Sequence, residues 1–78
     1  MHRGKSYSPL NIQAIEDAPP FFIGVKLAKI CVKLDIPVRD VAKYLGVSRQ
    51  LVSSWFYGKQ EVSPQYEEQI EKLIAKLT

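Results

Sequence analysis

Prolines and glycines cut the second half of this chain into short segments, which limits it to short elements of secondary structure. Pro37, Gly46, Gly58 and Pro64 stand at the segment boundaries. Proline suits the first turn of a helix, and glycine tolerates the left-handed backbone that ends one. Between these residues, apolar side chains recur at helical spacing, and no segment alternates convincingly like a strand. The sequence therefore predicts an all-α fold, a compact bundle of four to five short helices.

The boundaries of the predicted helices follow from the same signals. Ser48 and Ser63 suit the N-cap position, where a side-chain oxygen accepts a hydrogen bond from the first turn. Because residues 1–20 contain three prolines, we expect an N-terminal arm or irregular segment there, with a short turn or helix around residues 11–17 as the alternative. Residues 21–78 are the predicted domain. Its helices are Phe21–Leu34, Val38–Leu45, Ser48–Tyr57 and Ser63–Leu77.

Composition argues against several classes of protein. The chain has 46% hydrophobic and 24% charged residues, typical of a globular domain, and its one cysteine and one histidine cannot form an internal disulfide or a zinc site. We expect Cys31 to be a small core residue. Since paired carboxylates, a positioned histidine and a phosphate loop are all missing from the sequence, we predict no enzyme, metal or cofactor. Without a membrane span or a signal-like start, the expected compartment is the cytoplasm.

Charge is distributed unevenly along the chain. The net charge is +3, but residues 1–60 carry nine Lys and Arg against four Asp and Glu, whereas residues 61–78 carry two against four. The first part is therefore suited to a polyanion such as a phosphate backbone. Arg3 and Lys5 are candidates for a basic arm that reaches DNA, with a solvated tail as the simpler expectation.

Residues 38–59 are the most informative stretch. Two short predicted helices joined by a turn that contains glycine form the DNA-binding helix-turn-helix. Ala42 is small where the two helices cross, Gly46 makes the turn, and Val52 and Trp55 fill the space between the helices. These four residues follow one another at intervals of four, six and three positions.

This pattern resembles the helix-turn-helix of the lambda-type phage repressor and Cro family, which favours Ala, Gly, an aliphatic residue and Trp or Leu at those intervals. The resemblance covers about residues 22–77, since WFYGK and the Ser-Pro start of the next amphipathic helix also fit. It implies a lambda-repressor-like fold that binds double-stranded DNA.

Two departures from the family pattern affect the expected contacts. Pro37 and Val38 stand where the family commonly has Ser and Gln. The phosphate contact that this Gln makes is therefore missing, and Arg39 is a candidate to replace it. Arg49 stands where the family often has Gln, which prevents any inference of the operator sequence by analogy.

The predicted recognition helix, residues 48–57, carries the candidate site. At about 100° per residue, Ser48, Val52 and Trp55 cluster on its inward side, and the outward side has no carboxylate. In the major groove, arginine pairs with guanine and glutamine with adenine, and short serines allow a close approach. The candidates for reading bases are Ser48, Arg49, Gln50, Ser53 and Ser54. The candidates for contacting the DNA backbone are Arg39, Lys43, Tyr57 and Lys59.

The predicted function is sequence-specific transcription regulation by a Cro-like or antitoxin-like repressor of phage, plasmid or bacterial origin, with no small-molecule substrate and no membrane partner. The length of the chain favours such a stand-alone protein over a repressor with a separate oligomerisation or self-cleavage domain. One alternative is an excisionase-type or winged-helix architectural protein, which needs a β-hairpin after Gly58. Another is a protein-interaction adaptor that keeps the fold without binding DNA.

We also expect a homodimer on DNA. One recognition helix reads only a few base pairs, so two copies on a pseudo-palindromic operator are needed for selectivity. The candidate interfaces are apolar residues of the last predicted helix, Leu73 and Leu77, or of the first one, Val25 and Val32.

Overall fold

Five α-helices make up the computed structural model, which describes residues 7–78. They are α1 Pro9–Asp17, α2 Ile23–Leu34, α3 Val38–Leu45, α4 Arg49–Phe56 and α5 Pro64–Leu77. Within residues 7–78 there is no strand, and no helix is long and apolar enough to cross a bilayer. The all-α prediction is confirmed, and α3, α4 and α5 begin and end within one residue of the predicted positions.

Capping explains where several helices begin and end. Ser48 Oγ accepts a hydrogen bond from Leu51 N at 3.1 Å, which satisfies one of the free N–H groups in the first turn of α4. α3 ends at Gly46, whose φ of 73° lies in the left-handed region. These local interactions leave three residues between α3 and α4, which is the short connection typical of a helix-turn-helix.

α2 begins two residues later than the sequence predicts. Pro19 and Pro20 hold the chain in a turn, in which Phe22 N donates to Pro19 O at 3.3 Å, and Phe22 is the extended N-cap of α2. Phe21 therefore stays outside the helix. It is 73% exposed and its ring meets that of Phe22 edge-on, with 5.0 Å between the ring centroids.

Residues 7–20 contain a short helix, which is the alternative that the sequence left open near residues 11–17, and do not form the irregular segment that it favours. Pro9 occupies the first turn of α1, and Ser8 caps it by accepting from Asn11 N. α1 packs against α2, and Ile15 at its centre is 1% exposed. Tyr7 is also buried, at 5% exposure, so this segment contributes side chains to the hydrophobic core. The division of the chain at residue 20 stays a prediction.

The core surrounds α2, which packs against α1, α4 and α5, while α3 packs against α4. Gly24 permits the close approach of α2 to α4, because a Cβ atom there would lie 2.8 Å from Trp55 Cβ. Trp55 and Cys31 are fully buried, which confirms both as core residues. The ring of Tyr66 on α5 covers Trp55 at a centroid distance of 5.5 Å.

Two residues predicted for a dimer interface are core residues instead. Leu73 is 7% exposed and Val25 is fully buried, because α5 and α2 use these side chains to pack within the monomer. Leu77 and Val32 are half-buried against the same core. The large apolar side chains that remain exposed within residues 7–78 are Leu10, Phe21, Leu34 and Tyr44.

Candidate nucleic-acid interface

α4 contacts the core through one face only. Val52, Trp55 and Phe56 have no exposed surface, and they hold the helix between α2 and α3. The other face carries the exposed Arg49 and Gln50, followed by half-buried serines one turn later. The division is the one that helical periodicity predicts, since residues three and four apart share a face.

A concave surface lies along the outward face of α4, and we call it the α4 hollow. It encloses about 500 Å³ and continues past the end of the helix into the turn. Its lining residues are Arg49, Gln50, Ser53, Ser54, Tyr57 and Lys59. All six were singled out from the sequence, and the lining contains no residue that the sequence missed.

The hollow is electrostatically suited to an anion. Arg49 and Lys59 bring two positive charges, and its other lining side chains are neutral hydroxyls and an amide. Because none of the lining residues is a carboxylate, nothing in the lining repels a phosphate group. Arg49 and Lys59 are both exposed and, among the described residues, neither is in an ion pair.

Three of the predicted site residues lie outside the hollow. Arg39 and Lys43 belong to α3, where both are exposed. The guanidinium of Arg39 lies 3.5 Å from the carboxylate of Asp40, and both side chains are mostly exposed. Such a surface pair contributes little, so Arg39 is easily released to a stronger anion. Ser48 is exposed rather than inward-facing, because an N-cap residue lies before the helix and its hydroxyl turns back to the first turn.

The serine hydroxyls of α4 differ in the hydrogen bonds they have left to make. Ser48 Oγ already accepts from Leu51 N, which leaves its proton free to donate. Ser54 Oγ donates to Gln50 O at 3.1 Å, which leaves its lone pairs free to accept. The hydroxyl of Ser53 has no hydrogen-bond partner within residues 7–78 and can either donate or accept. α4 therefore presents a defined set of donors and acceptors.

Tyr57 closes the far end of the hollow. It follows the last residue of α4 and is half-buried, and this burial raises the pKa of its phenol, which therefore stays protonated. A neutral phenol is a hydrogen-bond donor to an anion.

Tyr7 lies near Tyr57 in the core. Burial raises the pKa of Tyr7, and the nearby Cys31, Tyr57 and Asp35 raise it further. This neighbour could not be inferred from the sequence, since Tyr7 belongs to no periodic pattern.

Other chemistry finds no support in the described part of the chain. Burial raises the pKa of the Cys31 thiol to about 12, so the thiolate needed of a nucleophile is not formed near neutral pH. Within residues 7–78 no group of His, Cys, Asp and Glu side chains is arranged to hold a metal ion. Arg3 and Lys5, the candidates for a basic arm, lie outside the described residues.

A comparison with known protein families identifies the architecture. Residues 27–75, from the middle of α2 to near the end of α5, match the helix-turn-helix family. The chain belongs to this Cro-type helix-turn-helix family. The resemblance seen in the sequence is thereby confirmed, and α3 and α4 are the two helices that give the family its name. No curated protein and no solved structure matches the chain.

Members of the helix-turn-helix family are DNA-binding regulators, and this defines the function of the present chain at a coarse level. In this unit, the first helix crosses the DNA backbone and the second enters the major groove. The first corresponds to α3 and the second to α4. The winged-helix alternative needs a β-hairpin after Gly58, whereas residues 64–77 there form α5.

Proposed function

We propose that this protein is a Cro-like repressor, which binds operator DNA with the outward face of α4 and blocks transcription. The observation that carries the proposal is the α4 hollow, whose lining is polar or basic throughout and has no carboxylate. The hollow lies on the helix that the family places in the major groove. In this proposal the protein acts at the bacterial nucleoid or on phage DNA.

The base contacts are assigned by hydrogen-bonding capacity. Arg49 has only donors and suits the O6 and N7 acceptors of guanine, whereas Gln50 suits the donor and acceptor of adenine. Ser54 donates its proton within the helix, so toward DNA it accepts, and its partner is an amino group of adenine or cytosine. Ser48 and Ser53 retain a proton to donate and complete the set of base-reading candidates.

The backbone contacts are assigned to groups at the rim. Tyr57 and Lys59 follow α4, and Arg39 and Lys43 project from α3, so the four lie on two different elements of the motif. Contacts to phosphates on both elements fix the register of a recognition helix without reading sequence. Lys43 is exposed and in no ion pair within residues 7–78, which leaves its charge available.

The bound species in this proposal is a two-fold symmetric dimer. Half-sites about one helical turn, roughly 34 Å, apart would place two copies of α4 in successive major grooves. Footprinting and sedimentation with the selected DNA measure the site and the number of bound chains. One chain on an asymmetric site at saturation would contradict the dimer, though not DNA binding.

Selection from a pool of random duplexes tests the function itself. We expect recovery of a pseudo-palindromic sequence bound at least about 10³ times more tightly than random DNA, the lower limit for specific regulators. A variant with Arg49→Ala and Gln50→Ala is the control and should recover no such sequence. Selection of no sequence by the wild-type protein would favour instead an adaptor that keeps the fold without reading DNA.

A further inference from the structure

Residues 7–19 precede the family-matched part of the chain, yet they contact both ends of the helix-turn-helix. At one end, Tyr7 Oη donates a hydrogen bond to the carbonyl oxygen of Ile36 at 2.6 Å. Ile36 stands two residues before the start of α3, and Tyr7 is 5% exposed. The hydrogen bond is therefore partly shielded from water, and it fixes the chain where it enters the motif.

At the other end, Ala18 and Pro19 pack against Gly58, just after the end of α4. A Cβ atom on Gly58 would lie 2.8 Å from Pro19 Cδ and 3.0 Å from Ala18 Cβ. This spacing leaves no room for the exit of α4 to move toward α1. Gly58 separates Tyr57 from Lys59, the two residues at the far end of the α4 hollow.

α1 connects these two contacts. It runs antiparallel to α2, because Tyr7 before α1 meets Ile36 after α2, whereas Ala18 after α1 lies at the beginning of α2. Ile15 anchors α1 in the core between the two ends. Residues 7–19, which we call the N-terminal brace, thus extend from the entry of α3 to the exit of α4.

We propose that the N-terminal brace positions the backbone-contacting residues at the two ends of the motif, Arg39 on α3 and Lys59 after α4. The turn that contains Gly46 joins the end of α3 to the start of α4. The brace holds the other two ends, the start of α3 and the end of α4, at a fixed separation. This proposal rests on the proposed function, since it concerns the geometry with which Arg39 and Lys59 meet the phosphates.

The first test removes only the hydroxyl of Tyr7. We expect Tyr7→Phe to bind the selected duplex more weakly, by at most about tenfold, because the free energy of one hydrogen bond within the protein limits what its loss can change. The matched control is Ile70→Val, which removes one methylene from a fully buried side chain of α5 but leaves both contacts of the brace with the motif in place. Both variants are measured far below their melting temperatures, where the control should bind like the wild-type protein.

A double-mutant cycle distinguishes positioning from general stability. If Tyr7 acts through Arg39, the loss caused by Tyr7→Phe should fall below about twofold when Arg39→Ala is already present. Ala18→Gly, which opens space beside Gly58, should behave in the same way toward Lys59→Ala. The Ala18 cycle keeps the proposal testable if Tyr7→Phe does not fold.

The outcomes separate the two proposals. A wild-type protein that selects no duplex would overturn the proposed function and the brace together. Selective binding by the wild-type protein, with unchanged affinity in Tyr7→Phe and Ala18→Gly, would overturn the brace alone. The brace would also be overturned by an equal loss in Ile70→Val, or by losses that remain fully additive with Arg39→Ala and Lys59→Ala.

Discussion

The two faces of the eight-residue helix α4 have different surroundings. The inward face has no exposed surface at Val52, Trp55 and Phe56, and Trp55 meets both Gly24 of α2 and Tyr66 of α5. The outward face, with Arg49 and Gln50, makes few contacts within the protein. Side chains on the inward face are thus fixed by packing, whereas those on the outward face are free for a ligand.

Stability and binding should therefore separate cleanly between the two faces. Substitutions on the inward face should lower the free energy of unfolding, and those on the outward face should change only DNA binding.

The largest effect is expected for Trp55→Ala. Truncating a fully buried aromatic side chain removes transfer free energy and leaves a cavity, and the loss should be about 3–5 kcal/mol in the free energy of unfolding. Urea denaturation measures it, with Gln50→Ala as a control expected to stay within about 0.5 kcal/mol of the wild-type protein. A loss below about 1 kcal/mol for Trp55→Ala would contradict the packing described.

Gly24→Ala tests the approach of α2 to the inward face. The added methyl group would meet Trp55 Cβ at 2.8 Å and Trp55 O at 2.9 Å, and overpacking of this kind costs about 1–3 kcal/mol. Gly46→Ala is the comparison, because nothing lies within 4 Å of a Cβ there and its cost comes from the left-handed backbone alone. Thermal unfolding should show a loss for both, but only Gly24→Ala should displace the indole ring and change the near-ultraviolet circular dichroism.

Arg49→Ala and Gln50→Ala should each weaken binding to the selected operator by about 1–3 kcal/mol and relax the preference at particular base pairs. Their free energies of unfolding should be unchanged, since both side chains are exposed. Titrations against the operator and against random duplex measure the two affinities. If both affinities fell equally, these residues would not be reading bases.

Lys43→Ala and Lys59→Ala should weaken binding to every duplex to a similar extent. Each should reduce the slope of log affinity against log salt by about 0.9, the contribution of one released counterion per phosphate contact. Titrations at four or more salt concentrations give the slopes. The control is Lys29→Ala, on a helix outside the motif, which should leave the slope unchanged. An unchanged slope for Lys59→Ala would show that Lys59 does not contact a phosphate.

The smallest effect concerns pH and belongs to the buried side of the molecule. Burial raises the pKa of Cys31 from 9.0 to about 12, so the folded protein holds this proton more tightly than the unfolded chain does. Its contribution to stability is complete below about pH 9 and decreases as the pH rises toward 12. Urea denaturation at pH 7, 9 and 10 should show the decrease, and Cys31→Ala should show less of it. Equal pH dependence in both proteins would assign the effect to other groups, such as Tyr7.

The helix-turn-helix itself was predictable because its signals are local. Ser48 caps α4 through a residue three positions away, and Gly46 ends α3 by its own backbone conformation. Helical periodicity alone separated Trp55 from Arg49, and so it predicted the part of the α4 hollow that α4 itself lines. Ser48 was misplaced because periodicity holds only within a helix, and the N-cap lies outside it.

The all-α fold could thus be predicted from the sequence, and so could the helix-turn-helix and the outward face of α4, since each depends on residues a few positions apart. The tertiary structure brings Tyr7 to Ile36, 29 positions away, and packs Ala18 and Pro19 against Gly58 at the exit of α4. It also decided that Leu73 and Val25 belong to the core and not to a dimer interface. An apolar stripe shows that a helix buries one face. Which element covers that face depends on how all five helices pack together.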